Sequence, residues 1–432
     1  MDVTSYMLGK KNGGTTPTGT INIDENGTYD VTNYATANVD VGEVTYEDND
    51  VNFYDYDGTI VYSCSAEDFA SMTEMPSNPT HEGLTAEGWN WSLQNAKTYV
   101  AEYGMLEIGQ TYHTTDGKIH LYIDVPSDNY SLYVGLNASK RTTIEWGDNT
   151  QDSSVQTSSS GNPTYTQHTY TTKGKYVIKL SSEGTFNIKG LGTDHRCALF
   201  SNKDGAPDPK CLQANLPYKI ELSQNVKLEN YALYKLEKLK TIVVPKDIEI
   251  SKYAFSCLYN LVHLNLYSTT QLSDYLFLDD TGLKSLSLGD YAIDTIGSNV
   301  IWNTLLKKIT FKYTGTTLGG QLSHTQFKEF VIPNSVTTLS SSPGSDNKWT
   351  KKIIFSKNLT DLSSSGWAVD YVDLWDFRKC TSIPTTGTAT LGTNKISTIV
   401  VPDNLYNTWI TSGNWTDNNY QGRIISASDY QE

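Results

Sequence analysis

One short segment recurs nine times between about residue 217 and residue 401, and this repetition constrains the fold more than any other feature of the chain. Three apolar residues with the spacing L-x-x-L-x-L mark each clear copy, as in Leu239–Val244, Leu261–Leu266 and Leu283–Leu288. The last apolar positions follow one another at intervals of about 22 residues, at 222, 244, 266, 288, 311, 332, 355, 374 and 401. The few apolar side chains of one copy cannot offset the entropy of ordering it, so the copies must stack on each other. The period and the spacing therefore predict a right-handed solenoid with a parallel sheet along one side.

A second motif lies between consecutive main strands. Ile250, Ala254, Phe255, Cys257 and Leu261 illustrate it, and it resembles the linking segment of BspA-like leucine-rich repeats. Later copies depart from the class because Ser, Thr and Gly replace the Ala-Phe pair, and we expect those repeats to be flatter and all-β. The resemblance covers the C-terminal half of the chain and implies recognition by an extended surface rather than catalysis.

The composition predicts a mainly β, multi-domain protein. Charged residues make up 19% of the chain, whereas 29 tyrosines and nine tryptophans occur largely in short alternating segments, which are typical of strands. A chain of 432 residues is too long for a single core. We assign an N-terminal segment, a small β module, a β-sandwich, the solenoid and a C-terminal cap, at residues 1–45, 46–117, 118–191, 192–401 and 402–432.

The N-terminal segment carries a hairpin signal. Apolar and polar residues alternate around Asn26-Gly27, a dipeptide that favours a tight β-turn. With the opening M-D-V-T-S-Y-x-L-G-K-K, this segment resembles N-terminal segments of tail, fibre and baseplate proteins of phages and prophages. The resemblance implies that residues 1–45 anchor the chain to other virion proteins; a generic β module without that role is the alternative.

The second unit resembles Listeria–Bacteroides repeat modules, which are small β-grasp-like folds of surface proteins. The similarity lies in Y-D-Y-D-G-T at 54–59, P-S-N-P-T-H-E-G-L at 76–84 and G-W at 88–89. Asp57-Gly58 predicts the turn of a hairpin. Apolar residues at 3–4 spacing predict one helix, over residues 92–103.

The third unit resembles the PKD domain, an immunoglobulin-like sandwich, in W-G-D-N-T at 146–150, H-T-Y at 168–170 and G-K-Y-V-I-K-L at 174–180. The resemblance implies that Trp146 is a core residue and Tyr170 a corner residue. The family usually has Gly where Asn149 stands, and Asn also tolerates a left-handed turn conformation. We interpret His168 and Asp148 as a structural hydrogen bond, because no nucleophile accompanies them.

No motif of an enzyme, a metal site or a membrane span is apparent. The chain has no GxSxG, HExxH or Walker loop, and its five cysteines show no CxxC spacing. Asp48, Asp50, Asp55 and Asp57 lack the spacing of an EF-hand, so we interpret them as a solvated acidic hairpin. We expect no catalytic residues, no metal, no cofactor and no membrane insertion. The net charge of −15 argues against nucleic acid as a partner.

Two candidate ligand surfaces follow from the repeat. Lysines recur between its first and second apolar positions, and in a parallel stack they would align: Lys284, Lys307, Lys328 and Lys351, with Lys240, Lys308 and Lys352 beside them. Such a stripe could favour an anionic cell-wall polymer such as a teichoic acid; the alternative is a solubilising column that discourages edge association. Aromatic residues of the late repeats suit sugar rings, although half or more are expected to be packing residues: Trp302, Tyr313, Trp349, Trp367 and Trp375.

These observations predict a phage virion protein on the surface of the particle, as a tail fibre, baseplate or head fibre assembled in the host cytoplasm. The repeats would bind a polysaccharide or protein of the host cell surface, with the smaller β modules acting as a stalk. Alternatives are a purely structural capsid decoration or collar protein, and a bacterial cell-surface adhesin, which would need an export signal that is not apparent. We expect a homo-oligomer, although no heptad or collagen-like segment specifies its symmetry.

Overall fold

A computed structural model describes residues 49–155, 163–191, 196–200, 212–267, 271–340, 350–362, 372–386, 396–416, 420 and 422–431. The chain divides into two compact units, residues 1–48 and 49–432. The first unit lies outside the described residues, and with it the predicted hairpin and anchoring segment. In the second unit, the mainly β class predicted from the sequence is confirmed.

Residues 49–117 form a four-stranded mixed sheet with two helices, and we call this unit the docked module. Its elements are β1 (Val51–Tyr54), β2 (Ile60–Cys64), α1 (Ala66–Ser71), β3 (Leu84–Trp89), α2 (Leu93–Tyr103) and β4 (Leu106–Thr114). The strand order is β2-β1-β4-β3. The predicted helix is confirmed as α2: the Ser92 hydroxyl accepts a hydrogen bond from the Asn95 backbone, and Gly104 ends the helix with φ +79°. The predicted turn at Asp57-Gly58 joins β1 to β2.

Residues 119–200 form two layers of antiparallel strands followed by short strands. The elements are β5 (Ile119–Val125), β6 (Tyr130–Leu136), β7 (Thr142–Glu145), β8 (Gln151–Val155), β9 (Thr164–Tyr170), β10 (Gly174–Ser182), β11 (Phe186–Ile188), β12 (Gly190–Leu191) and β13 (Arg196–Cys197). β6 pairs with β9, and β5, β10, β7 and β8 form the other layer. Trp146 and Tyr170 are buried between them, and the Tyr170 hydroxyl donates to the Trp146 carbonyl oxygen at 2.8 Å.

The repeats form a solenoid with two rows of parallel strands. The first row comprises β14 (Pro217–Glu221), β16 (Thr241–Val243), β18 (His263–Leu266), β20 (Ser285–Leu288), β23 (Glu329–Val331), β25 (Lys352–Ile354), β27 (Val372–Asp376), β29 (Ile396–Val401) and β30 (Ile424–Ser426). Between β20 and β23, one parallel bridge joins Ser287 to Thr310. β14 also pairs with β5, so the sheet of the sandwich continues into the solenoid.

The second row lies on another side of the turns and begins with β11. It continues with β15 (Val226–Leu228), β17 (Glu249–Ile250), β19 (Gln271–Leu272), β21 (Thr295–Ile296), β22 (Thr317–Leu318), β24 (Thr338–Leu339), β26 (Asp361–Leu362) and β28 (Thr385–Thr386). The pairs resolved within this row are parallel. Most turns therefore contribute one strand to each row, which is how a short repeat covers its own apolar residues.

Strand pairing corrects one position of the predicted repeat. Ile353 pairs with Trp375 and Ile354 with Asp376, so the position equivalent to Phe355 is Phe377 and not residue 374. Phe377 is fully buried and its ring lies 3.9 Å from that of Phe355. The remaining last apolar positions are also buried, as predicted: Leu222, Val244, Leu266, Leu288, Phe311, Ile332, Phe355 and Val401.

Aromatic side chains close the C-terminal end of the solenoid. The short helix α3 (Tyr406–Trp409) places Trp409 with its ring 5.3 Å from the rings of Phe377 and Trp415. These side chains cover the apolar end that the last turn would otherwise expose. Within the described ranges, no helix has both the length and the apolar character needed to cross a membrane.

Candidate binding surfaces

The docked module lies on the outer face of the first strand row, where an extended ligand was expected. Side chains alternate along these strands, so Ile242 and Val244 point into the solenoid and Val243 points outward. Val243 packs with Leu84 and Tyr112 of the docked module. We define the docked face as the outward residues that this module buries: Val243, His263, Asn265, Ser287 and Thr310.

Hydrogen bonds from polar side chains join the docked face to the docked module. The Asn265 amide donates to the carbonyl oxygens of Asp55 and Gln110, at 3.1 and 3.0 Å. The Ser287 hydroxyl donates to the carbonyl oxygen of Glu107 at 2.9 Å. Because buried polar groups are costly unless they are paired, these bonds specify one docked arrangement.

Asn90 of the docked module donates hydrogen bonds in the opposite direction, to the solenoid. Its amide donates to the Leu266 carbonyl oxygen at 3.0 Å and to the Ser287 hydroxyl at 2.9 Å. Its side-chain oxygen accepts from the Gly109 backbone at 2.8 Å. A single fully buried side chain therefore fixes two solenoid strands against β4.

Helix α2 runs across successive turns of the solenoid. At its N-terminus, Asp290 accepts hydrogen bonds from the Ser92 backbone and hydroxyl, at 3.0 and 2.8 Å. At its C-terminus, Lys357 forms an ion pair with Glu102 at 3.0 Å, and Lys379 donates to the Glu102 carbonyl oxygen at 3.1 Å. An acid at the first turn and cations at the last complement the helix dipole.

The carboxyl groups at the two ends of α2 are held ionised. Burial alone would raise the pKa of Asp290, but hydrogen bonds from Asn95 and Ser92 outweigh it and lower that pKa below its usual value. Burial likewise opposes ionisation of Glu102, yet Asn334 and Lys357 lower its pKa. Both anions therefore support the docking at neutral pH.

A short connection keeps the docked module in place. Only residues 115–118 separate β4 from β5. The Thr115 backbone donates to the Gly83 carbonyl oxygen at 2.9 Å, and the Thr114 hydroxyl donates to that of Lys118 at 2.6 Å. Since β5 belongs to the sheet that continues into the solenoid, this short link limits the distance between the module and the solenoid. The docked module therefore packs against the side of the solenoid and does not form the expected stalk.

His263 is the titratable group at the centre of the docked face. Its ring stacks on Tyr54 at 4.7 Å, and Nε2 donates to the Asn265 oxygen at 2.6 Å. Nδ1 then accepts from the Ser285 hydroxyl at 2.6 Å, which describes a neutral imidazole. Burial lowers its pKa from 6.5 to about 4.

The predicted lysines form an exposed row beside the first strand row. We keep the name lysine row for Lys284, Lys307, Lys328 and Lys351, all exposed. Backbone bonds place these positions on successive turns, for example from Lys351 N to the Lys328 carbonyl oxygen at 2.7 Å. Of the neighbours, Lys308 pairs with Glu107 under the docked module, and Lys352 pairs with Glu329 at 3.4 Å. The row is thus beside the docked face and not on it.

Of the aromatic residues predicted to suit sugar rings, Trp375 is one of the expected packing residues. Trp375 is fully buried between Phe355 and Phe377, at 5.1 and 6.1 Å, so it is unavailable to a ligand. Trp302 is partly buried and stacks on His324. Trp349 and Trp367 lie outside the described residues.

A column of tyrosines on the linking segments is also a packing feature. Tyr231, Tyr253 and Tyr275 stack with ring centroids 4.4 and 4.7 Å apart. Each has φ between +56° and +60°, which repeats the same turn from copy to copy. Because the rings cover each other's faces, little aromatic face remains for a sugar.

Two other sequence interpretations can be compared with the geometry. His168 Nε2 lies 2.8 Å from Asp148 Oδ2 and its ring stacks on Trp146, as expected for a structural hydrogen bond. Asp55 is buried and bonded to His81 and Tyr112, at 2.7 and 2.9 Å, so the acidic hairpin is not fully solvated. No group of three metal-ligating side chains occurs in the part of the chain that the structure describes.

Sequence reasoning missed the residues of the docked face. His263, Asn265, Ser287 and Thr310 are neutral polar side chains at outward strand positions, which look like ordinary solvent-facing residues. Their one signal was the lack of charge at the outward positions of three adjacent turns, from Thr241 and Val243 to Ser285 and Ser287. A neutral polar face is compatible with burial because its members can hydrogen-bond to a partner's backbone.

Comparison with known proteins agrees with the repeat geometry. Residues 211–322 match the family model of the BspA type leucine rich repeat region, in six copies. Among solved structures, the chain is similar to a leucine-rich repeat protein from Bacteroides ovatus, with 14% identity, 46% of this chain and 82% of that chain covered, and a TM-score of 0.19. A likeness this low supports no further conclusion. No curated protein matches the chain. The solenoid therefore contains BspA-type leucine-rich repeats.

Proposed function

We propose that the protein is a non-enzymatic attachment protein on the outside of a particle or cell, and that its lysine row binds an anionic polymer of a bacterial surface. The observation that carries this proposal is the exposure of four lysines on successive turns, while the docked module covers the face beside them. On a chain of net charge −15, a local cationic row attracts anions that the rest of the surface repels.

We favour a phage particle as the carrier because of the resemblance of residues 1–45 to virion segments. The BspA-type repeats are equally compatible with a bacterial surface adhesin. Recovery of the protein in purified particles supports the first carrier, and recovery in the cell-envelope fraction of an uninfected bacterium supports the second.

The binding site can be tested with the whole chain on intact Gram-positive cells. Changing all four lysines of the row to Gln should abolish most binding at low salt. A matched comparison changes Lys284 and Lys307 to Gln in one variant, and Lys227 and Lys252 in another. The second pair forms ion pairs with Glu249 and Asp274 at the second strand row, so its loss should leave cell binding unchanged. Equal binding by all variants would refute the lysine row as the site.

A further inference from the structure

The lysine row has a defined end on each side. At the preceding turn, Lys284 N donates to the carbonyl oxygen of Val262, an apolar residue that is 43% exposed. At the following turn, Asp373 N donates to the Lys351 carbonyl oxygen, and the Asp373 carboxylate lies 3.8 Å from the Lys351 ammonium. The row is therefore bounded by one residue without charge and one of opposite charge.

The spacing of the row follows from the sheet beside it. Neighbouring strands in a sheet lie about 4.8 Å apart, so three such steps place the Cα atoms of the four lysines along about 14 Å, parallel to the solenoid axis. A single phosphate can meet one or two such groups. A linear polymer with a charge at every repeat can meet all four.

We propose that the lysine row takes one linear polyphosphodiester without nucleobases, aligned with the solenoid axis and bounded by Val262 and Asp373. This inference rests on the proposed function and names its ligand class. Nucleic-acid sites normally add aromatic rings on which bases stack. Among the described residues, the most exposed large hydrophobic side chains are Tyr62, Tyr259, Val262 and Ile410, and none lies on the turns that carry the row. Two aromatic residues on those turns are half-buried: Trp302 stacks on His324, and the Tyr313 hydroxyl donates to the Thr317 carbonyl oxygen.

A substitution that lengthens the lysine row tests whether the polymer lies along it. Val262→Lys connects Lys240 to the row, so that six consecutive turns each carry a lysine. Because Val262 is exposed, the change should leave the core intact. Affinity of the whole chain for poly(glycerol phosphate) should rise about fivefold or more, since one lysine near an anionic surface contributes about this factor. Thr295→Lys adds the same charge at an exposed position of the second strand row and should change affinity less than twofold.

Salt dependence and a second polymer complete the test. Four phosphate contacts predict that log K falls with log salt with a slope of about −3, and Val262→Lys should steepen it. Equal gains from Val262→Lys and Thr295→Lys would refute the alignment of the polymer along the row, but not the proposal that the protein attaches to cells. Binding of an oligothymidylate with the same number of phosphates at equal affinity would overturn the base-free ligand class. Unchanged polymer binding after removal of all four lysines would refute the row itself.

Discussion

Gly109 of the docked module lies directly against the side chain of Asn265 on the solenoid, so closely that a Cβ on residue 109 would overlap it. The backbone of Gly109 does not have the positive φ that favours glycine. Its small size is therefore required by the neighbour and not by its own conformation.

Gly109→Ala should lower the free energy of unfolding by about 1–3 kcal/mol, the usual effect of inserting a methyl group into a packed site. Urea unfolding of the whole chain measures the change. An Asn265→Ala background removes Oδ1 and Cγ, the two atoms nearest the added methyl group, and leaves only the Cβ contact at 2.8 Å. The same substitution should therefore cost at least 1 kcal/mol less there, about the coupling expected of residues in contact. An equal loss in both backgrounds would show that the two residues are not packed together.

The N-terminus of α2 gives a second prediction. Asp290→Ala removes the acceptor for Ser92 and Asn95, and should lower stability by about 1–2 kcal/mol, as the loss of a helix cap does. Amide hydrogen exchange should accelerate in residues 93–103. Asp294→Ala removes an exposed carboxylate from the same turn and serves as the control. Unchanged exchange in α2 after Asp290→Ala would argue against the contact.

His263 predicts a pH dependence of stability. Burial lowers its pKa from 6.5 to about 4, so the unfolded chain takes up the proton first as the pH falls. The contribution of neutral His263 is complete above pH 6.5, and about 3 kcal/mol of it is lost between pH 6.5 and 4. Asp57 is the acidic group that opposes this shift.

His263→Gln keeps polar groups at the site but removes the titration. The difference in unfolding free energy between the parent and this variant should therefore shrink from pH 7 to pH 4, measured by urea unfolding at each pH. A pH-independent difference would mean that His263 is not buried in its neutral form.

Much of the fold was predictable from local patterns. Spacing alone identified α2, and Asp57-Gly58 identified the first hairpin. The 22-residue period located the solenoid strands, with one error at residue 374. That error arose because Val372 and Leu374 are apolar. The inward positions are Trp375 in β27 and Phe377 directly after it, and only pairing with Ile353 sets this register.

The docking was not predictable because it depends on residues far apart in sequence. Nothing near Asn265 indicates that Gln110, 155 residues away, will accept its hydrogen bond. Similarly, the sequence does not show that Trp375 is buried, because its burial depends on the pairing of Trp375 with Ile353 on the neighbouring strand. The lysine row was predictable because its residues recur with the same period as the core.

The span of α2 has a consequence for how such a chain can evolve. Solenoids ordinarily gain and lose whole copies of their unit with little penalty, because each copy contacts only its neighbours. Here the eleven-residue helix α2 is hydrogen-bonded to Asp290 at one end and to Lys379 at the other. Duplicating or deleting a repeat between Asp290 and Lys379 would change the distance between them, so α2 could no longer contact both. The number of copies in that interval is therefore set by the length of a helix that lies 198 residues before the first of these contacts and 277 residues before the second.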